Sequence, residues 1–210
     1  LARRLNIGIK NGIYAFLVGL SHLLLKVLFR LRICGREHLK TGEYIVVARH
    51  RSYWDIPILS AALGAWNRVH FIARRGLMEN NLLVQPLIRA YSTIIDRENF
   101  GTSDFRKVLT AIKRERLVGI FPEGTTRERV EAKSGAVRFA RLSHKDLLPV
   151  NIQPVGPYPP QYPFRFPRMT VSIGEPIAVA TLEQGIPTGT TRSERYRAMS
   201  ERLMERVDNV

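Results

Sequence analysis

Cysteine is almost missing from this chain: Cys34 stands alone among 210 residues, which excludes an internal disulfide and any multi-cysteine zinc site. Acidic residues are scarce as well, 18 Asp and Glu against 33 Lys and Arg, for a net charge of +15. No uninterrupted apolar run reaches the roughly 20 residues that a membrane-crossing helix needs. There is no internal repeat, and with 45% hydrophobic and 24% charged residues the composition excludes disordered and collagen-like classes. What remains is a chain of one-domain length, able to bury a core without disulfides or metals.

The charge excess draws anionic partners, whether nucleic acid, the anionic face of a membrane, or an acidic substrate or carrier protein, and charge alone does not choose among them. The most apolar stretch covers residues 13–29 and is interrupted by Ser21, His22 and Lys26. Its length and its lysine disfavour spanning a bilayer. Arg3, Arg4 and Lys10 before it and Arg30, Arg32 and Arg36 after it suit a helix lying in one leaflet among anionic headgroups. The alternative is a helix buried against the domain's own core. No small-residue cleavage site follows, which argues against a signal peptide.

Beyond residue 30, short β-type runs alternate with amphipathic helical runs, the pattern of an α/β sheet domain. Strands are predicted at 31–34, 44–48, 69–73, 93–95, 117–121, 148–152 and 169–173, and helices at 56–63, 83–90, 103–114, 136–142 and 193–207. Ser103 with Asp104, and Ser193, mark the starts of two of these helices. Proline recurs through 154–167, so that segment is expected to be a rigid loop, either covering an apolar groove with its Tyr and Phe residues or simply packing on the surface.

Two constellations carry chemistry. After the strand YIVVA comes Arg49-His50-Arg51-Ser52-Tyr53-Trp54-Asp55-Ile56-Pro57. On one helix, His50 and Asp55 would stand roughly 140° apart, so only a strand-to-helix turn brings them together. There a neutral imidazole suits taking a proton from an alcohol, and a carboxylate fixes its tautomer. Asp55 also suits a plain helix cap, and His50 a structural role. The second run, Gly119 through Arg127, ends a strand with Pro122-Glu123-Gly124 and then offers Thr125, Thr126 and Arg127. Gly124 lets the backbone approach a ligand, the threonines donate, and Arg127 grips phosphate oxygens, while Glu123 needs a backbone or cationic partner of its own.

Taken together, His50 and Asp55 with four residues between them, followed downstream by Phe121-Pro122-Glu123-Gly124-Thr125, resemble the glycerolipid acyltransferase family, in particular bacterial 1-acyl-sn-glycerol-3-phosphate acyltransferases. The resemblance runs from about Cys34 to about Ile177. It implies an α/β acyltransferase domain over 31–210, with a central mixed sheet flanked by helices, preceded by an N-terminal amphipathic, membrane-binding segment over 1–30. It implies His50 as general base and Asp55 as its orienting partner. The phosphate of the acceptor would be held by Glu123, Gly124, Thr125, Thr126 and Arg127, with Arg74, Arg75, Arg97 and Lys133 as further contacts. The acceptor would be a lysophospholipid, 1-acyl-sn-glycerol 3-phosphate at its sn-2 hydroxyl. The alternatives are glycerol 3-phosphate, another lysophospholipid or a lyso-aminolipid as acceptor, and a basic membrane- or nucleic-acid-binding module as the non-enzymatic one. The donor would be acyl-CoA or an acyl carrier protein thioester, used as co-substrate with no bound cofactor, metal or nucleic acid. The expected location is the cytoplasmic face of the cell membrane, as a monotopic or peripheral protein. The chain departs from the family pattern in five places. Asn81 stands near an expected proline. Arg49 stands where asparagine is usual before the histidine, and Gly76 replaces a glutamate. Tyr91-Ser92 replace a glycine, and Thr126 pushes Arg127 one place late.

Overall fold

The computed structural model describes residues 2–77, 85–123, 134–161, 163 and 165–210. The chain opens with helix α1 (Ala2–Leu28), then strands β1 (Arg32–Cys34) and β2 (Tyr44–Val47) and helix α2 (Asp55–Leu63). Next come β3 (Val69–Arg74), α3 (Gln85–Tyr91), β4 (Ser92–Ile95), α4 (Thr102–Arg114) and β5 (Leu117–Ile120). The chain closes with α5 (Gly135–Ser143), β6 (Asp146–Val155), β7 (Arg168–Ile173), α6 (Val179–Glu183) and α7 (Arg192–Asp208).

The seven strands form one mixed sheet in the order β1-β7-β6-β2-β5-β3-β4. Strands β2 to β6 run parallel, and the single antiparallel pairing, β6 with β7, reverses the β7–β1 edge. At its centre all four residues of β2 are buried, as a parallel strand covered on both faces requires. Tyr44 and Val46 point into a cluster completed by α1 and α2, including Leu25, Phe29, Ile58 and Leu59. Ile45 and Val47 point the other way, into a cluster with Val108 and Ile112 of α4, Val137 of α5 and Leu203 of α7. The period-2 alternation of one strand thus sets which helices cover which face.

All seven predicted strands are present, and four of the five predicted helices lie within a few residues of their expected bounds. The fifth, at 83–90, begins at Gln85 in the described part. Three expectations are corrected. Pro154 belongs to β6 and pairs with Met169, rather than opening a loop. Strand β2 pairs with β6 only as far as Pro149, so Pro154 sits where β6 has a partner on one side and its missing N–H costs nothing. The last helix starts one residue before Ser193, and its cap is Thr191, locked in a reciprocal capping box with Glu194. Helix α4 has Gly101 as its cap with no side-chain bond, and Asp104 pairs instead with Lys107. Helix α6 is too short to show a period in the sequence.

The N-terminal helix is 27 residues long, and its Ile7–Leu28 portion is long and apolar enough to cross a membrane, so length does not disfavour spanning. The helix is also attached to the domain. Tyr14, Val18, Leu25 and Phe29 are buried along one stripe, the Tyr14 hydroxyl accepts the Val69 N–H at 3.1 Å, and the Tyr91 hydroxyl donates to the Lys10 carbonyl at 2.8 Å. The opposite stripe, with Ile9, Phe16, Leu20, Leu23 and Val27, is exposed.

His70, near the start of β3, is 6% exposed and its Nε2 lies 2.9 Å from the Thr93 hydroxyl. Burial pushes its imidazole down to about 4, against the pull of Glu115. An unfolded histidine titrates near 6.5, so between those values the unfolded chain binds a proton that the folded one refuses. Stability is therefore expected to fall as pH drops from about 6.5 towards 4, by something on the order of 3 kcal/mol at full extent. Thermal midpoints measured across that window should fall less steeply in His70→Gln; an equally steep fall would assign the acid sensitivity elsewhere.

Candidate active site

The register of the sheet assembles the site. Val47 of β2 pairs with Ile120 of β5, so the chain leaves both strands at the same height, and His50 and Glu123 each follow three residues later. The His50 backbone N–H accordingly donates to Glu123 Oε2 at 3.2 Å. This is the carboxyl edge of the parallel strands, where α/β sheets hold their ligands.

From there the chain turns into α2, whose first residue is Asp55, fully buried. Asp55 Oδ2 accepts the N–H groups of Arg51 (2.6 Å) and Ser52 (2.7 Å) and faces His50 Nδ1 at 3.1 Å. The other oxygen, Oδ1, accepts the Tyr158 hydroxyl at 2.5 Å. One carboxylate thus closes the turn, sits favourably at the positive end of a helix and orients the ring. A carboxylate so surrounded by donors is an acceptor, so Nδ1 carries the ring proton and Nε2 presents its lone pair. The ring is stacked on Phe121 at 4.4 Å between centroids and 21° between planes, and its side chain is 15% exposed, open enough to meet a substrate. Phe121 in turn stacks on Phe71.

Glu123 is 7% exposed and has a partner of each expected kind where one was required, the His50 amide and the guanidinium of Arg49. Arg49 also forks onto Asp208, which, with Glu123 beside it, raises the guanidinium above its ordinary range and keeps it charged. Tyr158 projects from the proline-rich segment. Burial and then the Asp55 charge push its phenol far up, so it remains a donor at any working pH. Neither Tyr158 nor Asp208 was singled out from the sequence for this site. Nothing local marks a hydroxyl that meets Asp55 from 103 positions away.

Of the cationic candidates, Arg74, Arg75 and Arg97 stand at or just past the carboxyl ends of β3 and β4. Arg74 ends β3 and pairs in register with Ile95 of β4, and Arg97 follows two residues on. Burial, then the neighbouring Arg74, lowers the Arg97 guanidinium, so the two cations crowd each other. Arg75 is largely exposed and lies 3.8 Å from Asp96. Gly124, Thr125, Thr126, Arg127 and Lys133 lie outside the described residues. Among the described residues, no cluster of His, Cys, Asp and Glu is arranged to hold a metal ion.

An imidazole with its proton on Nδ1, a bare Nε2 and a buried carboxylate behind it can take a proton from an alcohol or thiol without a protein nucleophile. Comparison with known proteins gives the family. The family model described as Acyltransferase matches residues 30–156. The chain is 32% identical over 189 residues to the 1-acyl-sn-glycerol-3-phosphate acyltransferase of Bacillus subtilis, covering 87% of this chain and 91% of that one. It is 27% identical over 192 residues to the enzyme of the same name from Streptococcus pneumoniae, covering 85% and 69% respectively. Among solved structures, the 1-acyl-sn-glycerophosphate (LPA) acyltransferase PlsC of Thermotoga maritima superposes with a TM-score of 0.63 at 21% identity, over 91% of this chain and 78% of that one. That likeness shows the fold.

Proposed function

This chain belongs to the acyltransferase family, an enzyme family that joins an acyl donor to an acceptor, and on that premise we propose that it acylates the sn-2 hydroxyl of 1-acyl-sn-glycerol 3-phosphate to form phosphatidic acid. The observation that carries this reading is the His50–Asp55 pair, with Nε2 presented at the carboxyl edge of the sheet. His50 Nε2 takes the proton of the acceptor hydroxyl as its oxygen attacks the thioester carbonyl carbon. The C–S bond then breaks, and the imidazolium returns the proton to the departing thiolate, so no metal or bound cofactor is consumed. Asp55 steadies the imidazolium, and Tyr158 steadies Asp55.

The acceptor's phosphate is assigned to the cations of this edge. Arg74 and Arg97 crowd each other, and an anion relieves that crowding. The resemblance in sequence supports Gly124, Thr125, Thr126, Arg127 and Lys133 as further phosphate ligands and the N–H groups of 124–126 as donors to the oxyanion. The donor is acyl-CoA or an acyl carrier protein thioester, and the +15 charge favours docking of an acidic carrier.

Helix α1 is assigned to the membrane surface on the cytoplasmic side, its exposed apolar stripe in the leaflet and its attached stripe on the domain. Its carboxyl end favours delivery from the bilayer: Phe29 packs against Trp54, the residue before Asp55, and against Phe166.

An acceptor panel tests the assignment. Thiol release from palmitoyl-CoA, and separately from palmitoyl-acyl carrier protein, is expected to require 1-acyl-sn-glycerol 3-phosphate. Equal release with glycerol 3-phosphate or with a lysophospholipid of a different headgroup would move the acceptor, and no release with any of them would end the proposal.

A further inference from the structure

His50 lies past the end of β2, so no strand register holds it in place. Its backbone is held through Glu123, whose Oε2 accepts the His50 N–H at 3.2 Å and whose Oε1 accepts Arg49 Nη1. Arg49 extends the connection. Its Nε and Nη2 form a two-bond fork on Asp208, at 2.5 and 2.6 Å. Asp208 is the last residue of α7, and its own carbonyl accepts Asn151 Nδ2 at 2.9 Å from the middle of β6. The chain end beyond it is wedged on the sheet: a Cβ built on Gly174 would stand 2.7 Å from Val210.

We infer that Asp208 is a positioning residue for His50, acting through Arg49 and Glu123, so that the C-terminal helix clamps the catalytic loop. The fork matters because a bidentate carboxylate fixes the plane of the guanidinium as well as its position, and that plane sets where Nη1 meets Glu123. Arginine is needed for this. Asparagine at position 49 could not reach both carboxylates, so the clamp accompanies the departure of this chain from the usual residue before the histidine. A surface ion pair with no such role would matter little, and Asp208 is 39% exposed.

The kinetic part of the test rests on the proposed function; the exchange part does not. In Asp208→Ala, kcat is expected to fall about 10–100-fold, the scale that a misplacement of about 1 Å costs in an oriented site. The acceptor KM should stay within about twofold, since the binding groups are untouched. The thermal midpoint should stay near that of the wild type. Asp208→Asn, which keeps one acceptor of the fork, should lose less. Arg49→Ala combined with Asp208→Ala should be no slower than Arg49→Ala alone, because one path is cut twice. Independently, the His50 amide should exchange with solvent faster in Asp208→Ala, while β6 amides keep their protection. Wild-type kcat in Asp208→Ala, additive losses in the double variant, or unchanged exchange at His50 would each overturn the clamp. If the wild-type protein releases no thiol with any acceptor, the proposed function falls, and the exchange at His50 still decides the clamp by itself.

Discussion

Replacing His50 by alanine is expected to lower kcat by about 10²–10⁴ while the protein keeps its fold, the range associated with loss of a positioned general base. Among the described residues, the ring makes one side-chain hydrogen bond, to Asp55, and one stacking contact, with Phe121, and is not fully buried. Its removal therefore opens little core. The Asp55 carboxylate keeps its two backbone N–H donors and the Tyr158 hydroxyl, so the turn into α2 stays closed. Because no other described group at this edge is an imidazole, kcat and kcat/KM should fall together, with the acceptor KM little changed. Wild-type turnover in His50→Ala would remove the base from the mechanism, whatever the fold.

Asp55→Asn is expected to be the second most damaging change, at about 10²–10³ in kcat, and for a narrower reason. A carboxamide oxygen in the place of Oδ2 can still accept the Arg51 and Ser52 N–H groups and the ring proton, and its NH₂ can donate to the Tyr158 oxygen. Turn and tautomer both survive, and only the charge that opposes the forming imidazolium is lost. Asp55→Ala differs in kind. It strands two backbone N–H groups beside a fully buried position, which adds a loss of about 1–3 kcal/mol of stability for each unsatisfied group. Kinetics and chemical denaturation of the two variants separate the roles. Equal stability of Asn and Ala at this position would show that the carboxylate does not hold the turn.

The parallel core of this protein is legible in its sequence because both faces of β2 are covered, so Tyr44–Val47 reads as an unbroken apolar run with few other ways to be buried. Strand β7 is legible by alternation, and α4 by the spacing of Phe105, Val108, Leu109 and Ile112. Pro154 misleads because proline is judged by local rules, whereas its tolerance depends on how far a neighbouring strand extends. The length argument at α1 fails for a related reason. Apolar count says what a helix can do in a bilayer, while the Tyr14 and Tyr91 hydrogen bonds that tie it to the domain come from residues remote in sequence. At the site, the His50–Asp55 pair is readable because both residues lie in one turn. The groups that complete it come from Tyr158, Arg49 with Glu123, and Asp208, brought together by sheet register and by the return of α7 across the sheet edge.

The most direct test of the central claim, that the acceptor hydroxyl activated by His50 attacks the thioester itself, is rapid-quench thiol release from acyl-CoA mixed with the protein before any acceptor is added. The expected result is no burst, followed on addition of 1-acyl-sn-glycerol 3-phosphate by thiol and phosphatidic acid appearing in equal amounts. A burst stoichiometric with protein, leaving the chain heavier by one acyl group, would contradict direct transfer and require a nucleophile in the protein.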